Sequence, residues 1–209
     1  PKPLAGVKVV DIANFLAGPI ASMFLADFGA EVIKVERPET GDELRFWGND
    51  KNGVGLMYKM VNRNKQSVTA DLRTPLGVEI VKRLVANADI VVENYRKGTL
   101  ERWGIGYDVL SAINPGLIML RVTGFGQTGP YAARAGYDMI IQGAGGFMSL
   151  TGERDDLPGG GPQKGGGAVA DLMTGMYATV AVLAALAWRE KSGAGQYIDL
   201  ALLDTQVSW

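Results

Sequence analysis

The chain has 209 residues, a formal net charge of -1, and neither histidine nor cysteine. That balance gives no bulk attraction to nucleic acid or to an anionic membrane. The missing residue types exclude disulfides, Ser-His-Asp and Cys-His catalysis and His-ligated metal sites, which leaves a carboxylate as the leading group for direct chemistry.

Short apolar runs alternate with helix-like segments. Residues 7–13 read as a strand, 20–28 as a helix and 31–36 as the next strand. After an irregular polar stretch, 68–72 reads as a strand, and Thr74 or Pro75 opens a helix through about residue 87, with Pro75 suited to a first turn. Strands at 90–94 and 117–123 are separated by shorter helices around Leu100 and 109–113. A helix runs from Tyr137 toward Gly143, a glycine-rich stretch fills 158–167, and a long apolar helix begins near Asp171. A turn at 191–195 leads to a strand at 196–200. The pattern predicts one α/β domain over residues 1–209, Rossmann-like, with a mostly parallel sheet and helices on both faces. Ligands of such sheets lie beyond the carboxyl ends of the strands. That points to the loops at 14–19, 36–38, 72–74, 94–98 and 124–130.

Asp171 stands alone at the head of an apolar run that carries no further charge until Arg189. Alone, it reads as a helix N-cap or as a reacting carboxylate. Residues 172–188 approach the lower length limit of a bilayer span, but they are rich in Ala, Gly and Thr, and a turn and strand follow. A buried helix is the expectation, with no membrane partner. The chain opens with Pro1-Lys2-Pro3-Leu4 and lacks an initiator methionine, so trimming or processing is expected. It reaches Trp209 inside an apolar, helix-like run, which leads us to expect a longer protein.

Two glycine motifs mislead. Gly124-Phe125-Gly126-Gln127-Thr128-Gly129 has the dinucleotide spacing, but it follows a late strand and runs into Pro130. The stretch Gly159-Gly160-Gly161-Pro162-Gln163-Lys164 lacks the glycine before and the Ser or Thr after its lysine that a phosphate loop needs. The strand-end loops instead offer Arg37, Arg73, Arg96, Lys97, Arg102 and Arg134, with Tyr95, Trp103 and Tyr137 among them. Each arginine alone reads as solvated surface. Together at one sheet edge they suit a phosphate-bearing nucleotide.

Taken in order, several stretches resemble the family III CoA transferases. They are Pro3-Leu4-Ala5-Gly6-Val7-Lys8-Val9-Val10-Asp11, Ala17-Gly18-Pro19, the run from Gly29 to Pro38, Gly41-Asp42 and Asn62-Arg63-Asn64-Lys65. Val92-Glu93-Asn94-Tyr95, Gly124-Phe125-Gly126, Tyr137-Asp138, Ala170-Asp171 and the run from Lys191 to Gln196 continue the likeness. It implies that Asp171 is the catalytic nucleophile. It also implies that Arg37, Leu72, Arg73, Asn94, Tyr95 and Arg102 contact the nucleotide or pantetheine of CoA. Ala17, Tyr137 and Asp138 would lie nearer the thioester, with Arg134 close by. Acyl-CoA would be a substrate and no cofactor would be tightly bound. Relatives of this kind are about twice as long, form interlocked homodimers and carry a second, smaller domain, which here would lie beyond residue 209. The resemblance suggests succinyl-CoA as donor, a carboxylic acid as acceptor, and a cytoplasmic location, the alternative being the mitochondrial matrix after loss of a transit peptide. Leu16 stands where the formyl-CoA:oxalate type carries glutamine, so an oxalate enzyme is not expected. Related acyl-CoA racemases place His-Asp where Tyr137-Asp138 stands, and this chain has no histidine. A noncatalytic CoA-binding module or fragment is the alternative from another class.

Overall fold

A computed structural model of the chain describes residues 2–209. In chain order the elements are β1 (Lys8–Asp11), α1 (Ala17–Asp27), β2 (Glu31–Glu36), a small hairpin of β3 (Asp50–Lys51) and β4 (Val54–Gly55), α2 (Leu56–Val61) and β5 (Lys65–Thr69). There follow α3 (Pro75–Val85), β6 (Ile90–Glu93), α4 (Thr99–Arg102), α5 (Tyr107–Ile113), β7 (Ile118–Thr123) and α6 (Asp138–Ala144). The chain then forms α7 (Val169–Ser192), β8 (Tyr197–Ala201) and α8 (Leu202–Val207).

Six strands form one sheet in the order β5-β2-β1-β6-β7-β8, every neighbouring pair parallel. Both faces are covered, so the central strands are apolar on both sides. Val9, Val32, Ile90, Val92, Ile118 and Leu120 pack in one core with α1 and α7 residues such as Leu25, Ala178 and Val182. Val10, Ile12, Val91 and Met119 pack in the other, with Val81 and Val85 of α3 and Leu110 of α5. The long apolar helix is thus a core element: Ala170, Met173, Thr174, Gly175, Ala178, Thr179, Val182 and Ala185 are its buried residues.

Two boundaries differ from the sequence expectation. The strand expected at 68–72 is β5, at Lys65–Thr69. Its register on β2 runs from Val32↔Lys65 to Glu36↔Thr69, so backbone pairing at the sheet edge recruits polar residues that hydropathy does not mark. Ala70 and Leu72 are buried just after it, which is what drew the expectation downstream. Helix α1 begins at Ala17, and its third residue is Pro19, where a missing N–H is no loss.

Close backbone approaches then set the positions of the site elements. A Cβ on Gly175 of α7 would stand 2.4 Å from Ile20 Cγ2 and 3.2 Å from the Ala17 carbonyl, so the glycine lets α7 lie against the start of α1. A Cβ on Gly124 would stand 2.4 Å from Gly136 Cα; the loop after β7 doubles back on itself and returns to the sheet edge.

Beneath that edge lie four charged side chains, Asp11, Lys34, Asp42 and Lys65, each with 2% or less of its surface exposed. Lys34 Nζ is 3.0 Å from Asp42 Oδ2, and Lys65 Nζ is 2.9 Å from Asp11 Oδ2. Burial alone would raise the Asp11 carboxyl, but Lys34 and Lys65 hold it below its ordinary range; burial pushes Lys65 down to about 8. Paired in this way, the charges are tolerated inside the fold, and removing one partner would strand another.

Candidate functional site

Two contiguous cavities open at the carboxyl ends of the strands. The larger, about 850 Å³, is lined by residues that include Ala17, Asn94, Tyr95, Arg102, Arg134, Tyr137, Asp138 and Asp171. The smaller, about 280 Å³, is lined by residues that include Arg37, Leu72, Arg73, Asn94, Tyr95 and Trp103. Phe15, Asn94, Tyr95 and Arg96 border both. All eleven residues singled out from the sequence therefore meet in one groove, although they come from segments spread between residues 17 and 171.

Asp171 is the third residue of α7, and the N-cap position belongs to Ala168, which makes no side-chain cap. The capping role open to Asp171 from sequence is filled by Asp138, the first residue of α6. Its Oδ1 accepts the N–H groups of Ala170 (2.8 Å) and Asp171 (3.4 Å). These helix-start N–H groups are thus engaged by the buried Asp138 carboxylate and not by Asp171. Gln142, fully buried one turn further along α6, donates through Nε2 to Asp138 Oδ2 (2.7 Å) and to the Gly167 carbonyl (3.1 Å). Its Oε1 accepts the Gly165 N–H (2.9 Å), so α6, the glycine turn and α7 are tied together. Lys164 Nζ stands 4.0 Å from Asp138 Oδ2.

Among the described residues, no group donates a hydrogen bond to the Asp171 carboxylate. Burial, and secondarily the Asp138 charge, push its carboxyl from 3.8 up to about 7. Near neutral pH it exists in both forms, and the ionised form has free lone pairs facing the cleft. A half-buried carboxylate with no donor beside it can act as a base or as a nucleophile.

Cations ring the groove. Arg96, Lys97, Arg102 and Arg134 form no salt bridge among the described residues, whereas Arg37 pairs with Glu43 (2.6 Å) and Arg73 with Asp71 (2.8 Å). Arg134 lies 4.1 Å over the Tyr131 ring, and Arg102 accepts nothing but donates to Thr99 Oγ1 at 3.1 Å. Tyr95 packs edge-on against Trp103, ring centroids 5.0 Å apart, at the wall shared by the two cavities. Asn94 is committed elsewhere: Oδ1 accepts the Asn14 N–H (2.8 Å) and Nδ2 donates to the Asn14 carbonyl (2.6 Å). These bonds shape the loop after β1 and leave one amide N–H and one carbonyl lone pair of Asn94 at the groove it lines.

The chain matches CoA-transferase family III over residues 4–209. It belongs to that family. It is similar to the succinate–glutarate CoA-transferase of Agrobacterium fabrum, with 51% identity over 98% of this chain and 52% of that protein. It is also similar to the human succinyl-CoA:glutarate CoA-transferase, with 46% identity over 99% of this chain and 47% of that protein. A crystal structure of a CAIB/BAIF family protein from Brucella suis superposes with a TM-score of 0.94 at 51% identity, over 99% of this chain and 55% of that one. The chain spans about half the length of the curated relatives it matches.

Sequence reasoning missed Phe15, Trp47, Gln142 and Lys164. Gln142 had a signal, its four-residue spacing from Asp138 on one helix. Trp47 and Lys164 had none, because only the fold carries their loops to the cleft. Phe15 lay inside the flagged loop, but nothing in its residue type announces its backbone: φ is 61°, the left-handed region, at a cost of about 1–3 kcal/mol for a residue with a side chain.

Proposed function

We propose that the intact protein is a CoA transferase, moving CoA from an acyl-CoA donor to a carboxylic acid acceptor through Asp171. The reading rests above all on one observation: a half-buried carboxylate that accepts no hydrogen bond from the described residues stands in a cleft continuous with a cation-lined groove of nucleotide size. Ionised Asp171 attacks the thioester carbonyl, and the C–S bond breaks to give a mixed anhydride and CoA thiolate. The thiolate attacks the aspartyl carbonyl of the anhydride, leaving Asp171 as a CoA thioester and releasing the donor acid. An acceptor carboxylate then reverses both steps and departs as the new thioester, with no net proton change. Arg37, Arg73, Arg96 and Lys97 take the phosphates, Tyr95 and Trp103 flank the flat or apolar parts of CoA, and Ala17 and Tyr137 border the reacting thioester.

The relatives' names supply the substrate proposal: succinyl-CoA as donor and a dicarboxylic acid as acceptor. A homodimer belongs to the same reading, supported by the exposed face of α7, where Leu172, Met176, Val180 and Trp188 are apolar. So does a cytoplasmic location.

Intact mass of the full-length protein, before and after succinyl-CoA and beside Asp171→Ala, tests the core of it. The expected result is a CoA-sized adduct that hydroxylamine removes and that Asp171→Ala never forms. No adduct across several acyl-CoA donors would overturn the transferase reading. Exchange of an α proton without acyl transfer would favour a racemase, and binding of CoA with neither reaction would mark a binding module.

A further inference from the structure

The strained residue of the first loop carries an inference that goes deeper into the proposed reaction and rests on that reading. Phe15 follows β1 in the left-handed region, φ 61°, a position that glycine would fill without strain had only a turn been needed. Its conformation is over-determined. The Ala13 N–H donates to Asp11 Oδ1 (3.0 Å), and Lys34 Nζ donates to the Ala13 carbonyl (2.7 Å). Asn94 takes both backbone groups of Asn14, and the Phe15 N–H donates to Asp42 Oδ1 (3.3 Å). Four side chains, Asp11 at the end of β1 and Lys34, Asp42 and Asn94 from other parts of the fold, thus hold three successive residues. Strain maintained at such expense marks a position whose side chain has to be aimed.

The Phe15 ring is aimed at the junction of the two cavities, which it lines on both sides. There it meets Trp47 at 5.2 Å between centroids and Tyr137 edge-on at 6.2 Å. Both partners are more than half exposed and border the Asp171 cleft, so their faces are available to a ligand. We propose that Phe15, with Trp47 and Tyr137, forms an aromatic collar around the pantetheine arm that separates the side of the groove bearing Arg37 and Arg73 from the reacting carboxylate and keeps water out of it. Phe15 is in this sense a positioning residue. Both intermediates of the transfer are open to water: addition at the anhydride or aspartyl-CoA carbonyl, with loss of carboxylate or thiol, turns each turnover into net hydrolysis of acyl-CoA to acid and free CoA.

The readout is therefore the ratio of hydrolysis to transfer. With the full-length protein and succinyl-CoA, free thiol released without acceptor is compared with new thioester formed on glutarate. Phe15→Gly relieves the backbone strain and deletes the ring; Phe15→Ala keeps the strain and deletes the ring; Phe15→Tyr keeps both. We expect the first two to raise the hydrolysis-to-transfer ratio at least tenfold while Phe15→Tyr stays at the wild-type ratio, with Phe15→Gly melting no lower than the wild type. An unchanged ratio in folded Phe15→Gly and Phe15→Ala overturns the inference, and so does failure of both to fold, which would make the residue purely structural. A wild-type protein that forms neither adduct nor product would instead overturn the transferase reading beneath it.

Discussion

Asp171→Asn should stabilise the folded protein, and by an amount that depends on pH. Burial first, and the Asp138 charge second, raise the Asp171 carboxyl from 3.8 to about 7. The unfolded chain gives up that proton near 3.8, so between the two values folding takes up a proton. The stability linked to this group is complete below about pH 4 and is lost as pH rises through about 7. At about 1.4 kcal/mol per pH unit the interval sets a ceiling of about 4 kcal/mol on the penalty in alkaline solution, and water in the cleft lowers it. Asparagine has nearly the same shape and no charge to bury. A chain of this size shifts its Tm by about 2–4 °C per kcal/mol. Asp171→Asn is thus expected to melt several degrees above the wild type at about pH 8.5, the gap closing toward pH 4. Thermal unfolding of both proteins across that range is the assay. A gap that does not change with pH, or a wild type that is the more stable at pH 8.5, would refute the burial argument. The variant should also form no CoA adduct, a trade of activity for stability typical of reactive sites.

Two further outcomes follow from the packing. Gly175→Ala places a Cβ against Ile20 and the Ala17 carbonyl; overpacking of about 1–3 kcal/mol is expected in denaturant melts, with weaker acyl-CoA binding as α1 and α7 move apart. Arg121 lies between Glu93 and Glu101, and the second contact (2.7 Å) ties α4, which carries Arg102, to the sheet. Arg121→Met leaves Glu93 buried without its partner and should cost about 3–5 kcal/mol, less in acid where Glu93 is protonated; equal loss at pH 5 and pH 8 would count against this account.

The alternation of strands and helices was readable because a parallel sheet covered on both faces needs mostly apolar central strands, and β1, β2, β6 and β7 keep apolar runs around their few buried charges. Edge strand β5 was displaced because exposed Gln66 and Ser67, and Lys65 turned into the buried charge cluster, join the ladder without hydrophobic signal. Helix α2 and the β3–β4 hairpin went unread for a similar reason: they are short and largely exposed. At the site, the family resemblance found residues by their chemistry, and the topology then had only to bring strand ends together. It could not give the division of labour between Asp138 and Asp171, since either carboxylate suits a helix start. That distinction depends on α6 crossing the head of α7, a long-range contact. Phe15 was illegible because its φ is imposed by Lys34, Asp42 and Asn94, residues 19 to 79 positions away.

The cap on α7 has a consequence for a cycling enzyme. A nucleophilic aspartate ceases to be an anion every time it is acylated, becoming by turns an anhydride and a thioester. A helix whose end depended on that charge would lose its anchor at each turnover, just when the new carbonyl had to stay aligned with its next attacker. In the cycle proposed above the cap is carried instead by Asp138, which is not the group acylated, and Gln142 fixes its other oxygen. On that proposal the scaffold and the reagent are separate side chains, so α7 can begin in the same place whether Asp171 is bare or loaded.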